Sequence, residues 1–428
     1  MADSACSLES LPTELLANIF QWSLPDIEPP LYWDQDILTE YASFQRLRLV
    51  SRRFSQTFRQ HPRLHQSLLV YGPLPLQHLS NLLHWIHEHA GSIENVVFSK
   101  ESSDCQGAVL AALVAARTQL LSLCLRAQSL SGTVLSLLPS FSSLTNCAFE
   151  SANGNMLRLM PLQALPSLTD LFLQGPGLFT GLHHLPYLTS LILQDTAVGH
   201  VEDPSYSCLS TLCDLELSIS ALYGLDSRGL IACKALESLH CDDCTVGARD
   251  ETQALVFQGN LEARYFPAAM ATLTRLTHLE LDISFHGRGQ IDINWIYCLQ
   301  ALQVLILDND RPCLIGADVS RLSRLTTLDL GMSYACIDSG SSAQWGFATN
   351  WSSLPALQTL KIAQSVIEAA DSLLGLVHLI HLTQIDFMGC KPADAASQAI
   401  LAQLLDALSA RRPAIGLAVD MRLLQSFD

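Results

Sequence analysis

The amino-acid sequence predicts an α/β solenoid, in which short parallel strands stack side by side and return segments join them. The phrase L-x-x-L-x-L recurs along most of the chain, with its clearest copies at Leu168, Leu188 and Leu276. Most copies begin 20 to 26 residues apart, which leaves room for one strand and its return. In a strand the fourth and sixth positions face one way and the fifth position faces the other. Each copy therefore predicts a strand with one buried face.

The phrase and its period together are the signature of a leucine-rich repeat. We expect about twelve repeats in a horseshoe, with the parallel strands on the concave face. The first strand begins at Ile93, and the later phrases begin at Leu120, Leu144, Leu168, Leu188, Leu212, Leu236, Leu276, Leu302, Leu325, Leu357 and Leu382. Two repeats are overlong, and they place insertions at about 247–271 and 334–351.

Helices are predicted at both ends of the array. Apolar residues at helical spacing predict a helix over 74–89, ahead of the first strand. A second helix is expected over 393–410, and the apolar segment 415–419 reads as a closing strand. At the ninth position of each repeat, where the chain turns, the sequence has Ser, Thr or Cys more often than the usual Asn. We expect some of these side chains to bond to backbone groups at the turn.

The first sixty residues carry no repeat phrase. Pro12 and Glu14 suit the first turn of a helix, and Leu11, Leu15 and Ile19 follow on one stripe. A second helix is predicted over 43–60. Three prolines in the connector between them rule out a continuous helix.

The two motifs L-P-x-E-L-L-x-x-I-F (residues 11–20) and L-V-S-R-R-F (residues 49–54) resemble an F-box. The resemblance implies a helical domain at 8–65 ahead of the repeat domain at 66–428. It also implies binding to the Skp-type adaptor of a cullin–RING ubiquitin ligase. The adaptor contact would then involve Leu11, Pro12, Leu15, Ile19, Phe20, Val50, Ser51 and Phe54. The connector over 22–42 is longer and more acidic than is usual in the family. The alternative is a helical cap that covers the end of the solenoid.

Composition limits the partners and the compartment. The net charge of −17 argues against a nucleic acid or an anionic membrane as the partner. No apolar run is long enough to span a bilayer, and residues 1–9 lack the features of a secretory signal. The thirteen cysteines are spread singly, which favours reduced thiols in the cytoplasm or nucleus.

No catalytic, metal or cofactor motif is predicted. The C-x-x-C pair Cys241 and Cys244 stands alone, whereas a zinc site of this kind needs a second pair. His84, His87 and His89 lack the spacing of a metal-binding helix. We therefore expect no cofactor and no enzymatic activity of the chain itself.

Target binding is expected on the strand positions that do not face the core. Acidic residues gather there over consecutive repeats: Asp214, Glu216, Asp242, Asp243, Glu280, Asp282, Asp308 and Asp329. Their fields would add and favour a basic target protein, although a merely solvated face is the alternative. Trp345 and Trp351 in the second insertion are further candidate contacts, or else core residues. The sequence thus predicts a substrate-recognition subunit of an SCF-type ubiquitin ligase. The alternative function is a repeat scaffold or inhibitor outside ubiquitin transfer.

Overall fold

A computed structural model gives the fold of the chain. It describes residues 67–70, 74–98, 105–127, 132–151, 157–158, 162, 164–175, 178–180, 185–194, 197–198, 206–218, 227–247, 270–286, 294–308, 321–331, 344–345, 351–362, 366–367, 370–392, 394–412 and 415–419. The chain forms two compact units, Met1–Leu188 and Thr189–Asp428.

The first unit contains a parallel sheet with strand order β1-β2-β3-β4-β6. Its strands are β1 (Ser67–Val70), β2 (Asn95–Phe98), β3 (Ser122–Ala127), β4 (Asn146–Ser151) and β6 (Asp170–Gln174). Helices α1 (Leu76–His89), α2 (Gln106–Ala115) and α3 (Gly132–Leu137) lie in the connections between its early strands. The short strands β5 (Leu157–Arg158) and β7 (Leu178–Thr180) pair with each other in the connections further along.

The second unit continues the same plan with strand order β8-β10-β11-β12-β13-β14-β16-β18-β20. These strands are β8 (Ser190–Gln194), β10 (Asp214–Ser218), β11 (Ser238–Gly247), β12 (His278–His286), β13 (Val304–Asp308), β14 (Thr327–Gly331), β16 (Thr359–Ile362), β18 (Gln384–Phe387) and β20 (Gly416–Val419). The connections hold β9 (Ala197–Val198), β15 (Gln344–Trp345), β17 (Val366–Ile367), β19 (Lys391–Pro392), α4 (Ser227–Ala232) and α5 (Ala395–Arg411). The strands β15, β17 and β19 form a small sheet of their own.

The leucines of each phrase form the core. In β6, Leu171 and Leu173 are fully buried, as the fourth and sixth positions of the phrase predict. The first leucine of the phrase, Leu168, closes a turn by donating its N–H to the Leu165 carbonyl. The same i to i−3 bond precedes β10, β11, β12, β13, β14, β16 and β18. Each of these returns therefore ends in a tight turn whose two flanking apolar residues are both buried.

Backbone hydrogen bonds fix each repeat against the one before it. The second-position carbonyl accepts two bonds from the next repeat, as when Leu121 O accepts the N–H groups of Thr145 and Asn146 at 2.9 and 3.1 Å. Where the second position is threonine, its hydroxyl donates to the same carbonyl, as Thr145 Oγ1 does at 3.0 Å. Thr277, Thr326 and Thr383 repeat this bond in the second unit.

The predicted leucine-rich-repeat solenoid with parallel strands is confirmed. In the part of the chain that the structure describes, five repeat strands belong to the first unit and nine to the second, and every predicted phrase, together with the closing strand, has its counterpart. The strand missing from the prediction is β1. The terminal helices are confirmed within a few residues, whereas α2 was not predicted. At one ninth position the expected turn bond is present, because Cys390 Sγ donates to the Ile362 carbonyl at 2.7 Å.

Candidate functional site

The candidate site is the side of the strands that faces away from the leucine core. The fifth phrase position lies between the two buried leucines, so its side chain points to this side. In the second unit these residues lie in register across neighbouring strands and form one line, which we call the middle row. The middle row consists of Ile192, Glu216, His240, Glu280, Ile306, Asp329, Lys361 and Asp386.

Acidic and basic residues alternate along the middle row. His240 Nδ1 lies 2.8 Å from Glu280 Oε2, and His278 Nε2 lies 3.8 Å from the same oxygen. These three side chains are each about one-third exposed. On the other side of Ile306, the Lys361 ammonium donates to Asp329 Oδ2 at 3.0 Å. Lys361 therefore neutralises the Asp329 charge locally, while Glu280 has two imidazole nitrogens beside it.

The predicted acidic residues are distributed unevenly over this surface. Asp214 is exposed on β10 at the third phrase position, while Glu216, Glu280 and Asp329 are half-buried in the middle row. The backbones of four further acids lie in strands, but their side chains are outside the described residues: Asp242, Asp243, Asp282 and Asp308. The first two lie where the pairing of β11 with β12 changes register. The preference for a basic target accordingly stays a prediction.

Sequence reasoning missed the two histidines that pair with Glu280. A survey of carboxylates does not detect them, because histidine is not counted in the formal charge. The signal was nevertheless present, since His240 has the same phrase position as Glu280, and His278 lies two residues before it on the same strand. The pairing of Lys361 with Asp329 is likewise not evident from the sequence, because the two residues are 32 positions apart.

Trp351 is not available as a target contact, and that prediction is wrong. Its side chain is only 1% exposed and belongs to the core. The Leu354 N–H donates to the Trp351 carbonyl. Leu354 is the leucine at which the turn before the phrase begins, and Trp351 lies three residues ahead of it. Leu162, Met270, Ile296 and Leu376 have the equivalent position in other repeats, and all are buried. The regular core pattern could therefore have assigned this residue. Trp345 lies in β15, and its side chain is outside the described residues.

The same side of the first unit has a different character. Its fifth-position residues also lie in register, but all are apolar: Leu69, Val97, Cys124, Ala148 and Phe172. Two residues further along β3 and β4, Arg126 Nε and Glu150 Oε2 form an ion pair of 3.0 Å, and their side chains are 19% and 12% exposed. At the third position Asn95 donates to the Ser67 hydroxyl at 3.2 Å. Among the described residues, the charged fifth-position side chains thus belong to the second unit.

The buried thiols are poorly suited to chemistry. Burial raises the pKa of Cys124 to about 11, even though the Arg126 charge opposes the shift. Burial also raises the pKa of Cys147, and the neighbouring Cys124 adds to the shift. Cys241 of the C-x-x-C pair is a core residue. Among the residues that the structure describes, no three His, Cys, Asp or Glu side chains are grouped so as to hold a metal ion.

The residues predicted to contact an adaptor all lie outside the described residues: Leu11, Pro12, Leu15, Ile19, Phe20, Val50, Ser51 and Phe54. The predicted boundary between residues 65 and 66 also lies there. Neither prediction is tested by the geometry. In the part of the chain that is described, no helix is long and apolar enough to cross a membrane.

Comparisons with known proteins return matches among solved structures. No protein-family model matches the chain, and a search of curated proteins returns no match. Among solved structures it is similar to a TLR13–ssRNA13 complex, with 14% identity, a TM-score of 0.43, and coverage of 84% of this chain and 62% of that one. An internalin from Listeria monocytogenes shares 14% identity at a TM-score of 0.42, over 76% of this chain and 92% of its own. A leucine-rich-repeat protein of Leptospira interrogans shares 14% identity at a TM-score of 0.41, over 81% and 100% of the two chains.

Proposed function

We propose that the chain is the substrate-recognition subunit of an SCF-type ubiquitin ligase. Residues 8–65 would bind a Skp-type adaptor and through it a cullin, and the repeats would bind the target protein. The observation that carries the proposal is the order of the sequence features. The motifs at 11–20 and 49–54 come directly ahead of a repeat array whose first strand begins at Ser67. The array supplies the surface, and the motifs supply the connection to the ligase.

In this proposal the chain performs no bond chemistry. It would hold lysines of the target near a ubiquitin-charged conjugating enzyme and so raise their effective concentration. The strand side of the repeats suits this task, because a row of half-buried polar side chains over many strands fits a protein better than a small molecule. The singly spread cysteines support a role in the cytoplasm or nucleus, and the formal charge of −17 favours a protein over a nucleic acid as the partner.

Co-purification with a Skp-type adaptor tests the first half of the proposal. The double substitution Leu11→Ala/Pro12→Ala should abolish recovery of the adaptor, because both residues belong to the F-box-like motif. Leu24→Ala/Pro25→Ala is the matched control, since the same residue pair lies in the acidic connector. Equal recovery with both variants, or no recovery with the unmodified chain, would refute the F-box interpretation.

Partner capture tests the proposal that the repeats bind the target protein. Glu280→Lys should weaken binding of a target that meets the middle row, because it reverses one charge and places a cation beside His240. Asp406→Lys makes the same charge change on the exposed surface of α5, away from the strands. Quantitative proteomics of both variants should show partners lost only from the Glu280 variant. A set of partners unchanged by Glu280→Lys would remove the middle row from the proposed target site.

A second function is favoured by one observation. The connector over 22–42 is longer and more acidic than is usual in the F-box family. If it prevents adaptor docking, the chain is a repeat scaffold or inhibitor that binds proteins without ubiquitin transfer. The adaptor experiment separates the two functions, because the scaffold predicts partners of the repeats but no adaptor.

A further inference from the structure

Most of the lysines and arginines whose side chains are described in the second unit lie outside the strands. Apart from Lys361, every lysine and arginine whose side chain is described there precedes a strand, in a return segment or turn: Lys234, Arg275, Arg321, Arg324, Arg411 and Arg412. The described carboxylates of the strands, by contrast, lie at the third and fifth phrase positions. A basic edge therefore borders an acidic strand side in a protein of net charge −17.

The basic residues at this edge are regularly spaced. We call the residues directly before the first leucine of each phrase the turn edge. From β11 to β18 the turn edge consists of Ala235, Arg275, Ala301, Arg324, Ala356 and His381. Cationic or ionisable residues thus alternate with alanine. Because neighbouring strands lie about 4.8 Å apart, Arg275, Arg324 and His381 follow one another at intervals of about 10 Å.

These side chains are accessible. Arg275 is 59% exposed, and its guanidinium donates to the Glu237 carboxylate, which is 47% exposed. Arg324 is exposed and forms no ion pair with any described residue. Beside it, the Arg321 guanidinium carbon lies 5.8 Å from the centre of the Tyr297 ring, a cation–π contact that restrains its position. The small alanines between the basic residues leave space for a chain to approach.

We propose that the turn edge binds an acidic segment of a partner protein in the polyproline II conformation. This helix has three residues per turn and a rise of about 3.1 Å per residue, so every third side chain recurs on one face at about 9.3 Å. An acidic residue at every third position would match the spacing of Arg275, Arg324 and His381. A β-strand presents one face every second residue, at about 6.6 Å, which does not match.

This proposal rests on the proposed role of the repeats as a protein-binding array. It specifies that one segment of the partner protein is acidic and extended. It does not depend on adaptor binding. A target that fits both surfaces would combine a basic body, facing the strands, with an acidic extended segment along the turn edge.

The test uses the full chain and a labelled peptide of repeated Glu-Pro-Ala, followed by fluorescence anisotropy at low ionic strength. A peptide of the same composition with its glutamates grouped at one end is the control for spacing. Arg324→Glu should weaken binding of the spaced peptide by about tenfold, because one exposed attraction becomes a repulsion. Arg117→Glu makes the same charge change at an exposed position of the first unit, which does not contain the turn edge, and should leave the affinity within about twofold.

Four results would overturn the proposal: equal weakening by the two substitutions, equal binding of the two peptides, no binding of the spaced peptide, or tighter binding of a single-stranded oligonucleotide of the same charge. Circular dichroism of each variant confirms that it is folded. The Leu11→Ala/Pro12→Ala variant should bind the spaced peptide normally. Loss of peptide binding with normal adaptor recovery would therefore reject the turn-edge proposal alone, and the reverse result would reject only the F-box proposal.

Discussion

Truncation of Trp351 tests the assignment of this residue to the core. The side chain is only 1% exposed and packs against the 3₁₀ segment Ala370–His378, where a methyl group added to Gly375 would lie 3.3 Å from the Trp351 Cβ. Trp351→Ala removes the whole indole from this contact. If Trp351 were an exposed target contact instead, the same substitution would weaken binding and leave stability unchanged.

The expected cost follows from the buried area. A buried aromatic side chain removes about 150–250 Å² from water. At about 25 cal/mol per Å² this corresponds to about 4–6 kcal/mol. Measured truncations of buried aromatic residues cost about 3–5 kcal/mol. We therefore expect Trp351→Ala to lower the free energy of unfolding by about 4 kcal/mol.

Urea unfolding followed by far-ultraviolet circular dichroism is the appropriate assay, because removing a tryptophan changes the fluorescence signal itself. Ile380→Ala is the control in the same unit, since that side chain is 77% exposed and its loss should cost less than about 0.5 kcal/mol. If Trp351→Ala lies within about 1 kcal/mol of this control, the assignment of Trp351 to the core is refuted.

Three further predictions concern backbone, helix end and thiols. Arg117 follows α2 with a φ of 56°, a backbone conformation that glycine adopts more easily than arginine. Arg117→Gly should therefore raise the free energy of unfolding by about 0.5–1 kcal/mol in urea titrations. A loss of stability would contradict this expectation. The Asp394 carboxylate accepts the Ser397 N–H at 2.7 Å, which lowers its pKa. A lowered pKa stabilises the fold above the pKa of the unfolded carboxyl, and this stabilisation is lost as the pH falls through the folded value. Asp394→Ala should therefore lower the urea midpoint at neutral pH and have little effect in strong acid, whereas an equal effect at both would be inconsistent with the cap. Exposed Cys298 should react with iodoacetamide, whereas buried Cys124 and Cys147 should stay unmodified in the native chain. Mass spectrometry of labelled peptides checks this expectation, and early labelling of Cys147 would contradict its burial.

The sequence predicts the repeat ladder well because each strand repeats the same leucine spacing. It does not reveal β1, since Ser67–Val70 follows His65, where the other phrases begin with leucine or isoleucine. Helix α2 is also hidden, because the segment Gln106–Ala115 is apolar all round and shows no helical period.

The candidate site was less predictable than the fold. Single residues on the strand side can be read from phrase positions, but their pairing depends on which strands are neighbours and in what register. His240 and Glu280 are forty positions apart in the chain and adjacent across β11 and β12. Trp351 was misassigned because its Gly/Ser-rich neighbourhood resembles a loop, although its distance from the turn leucine matches that of other core residues.

In each of these repeats one carbonyl accepts two N–H groups from the next repeat. This main-chain contact affects which positions of the chain can change during evolution. Each repeat is aligned by main-chain bonds and buried leucines, and neither involves the side chains of the middle row. The pairing of Ser238 with His278 keeps the same alignment as its neighbours although the repeat between them is one of the two overlong ones. Surface residues and loop lengths can therefore differ from repeat to repeat without loss of the alignment between neighbouring strands. New partners can be acquired by substitution at single surface positions, while the leucines stay under selection for stability.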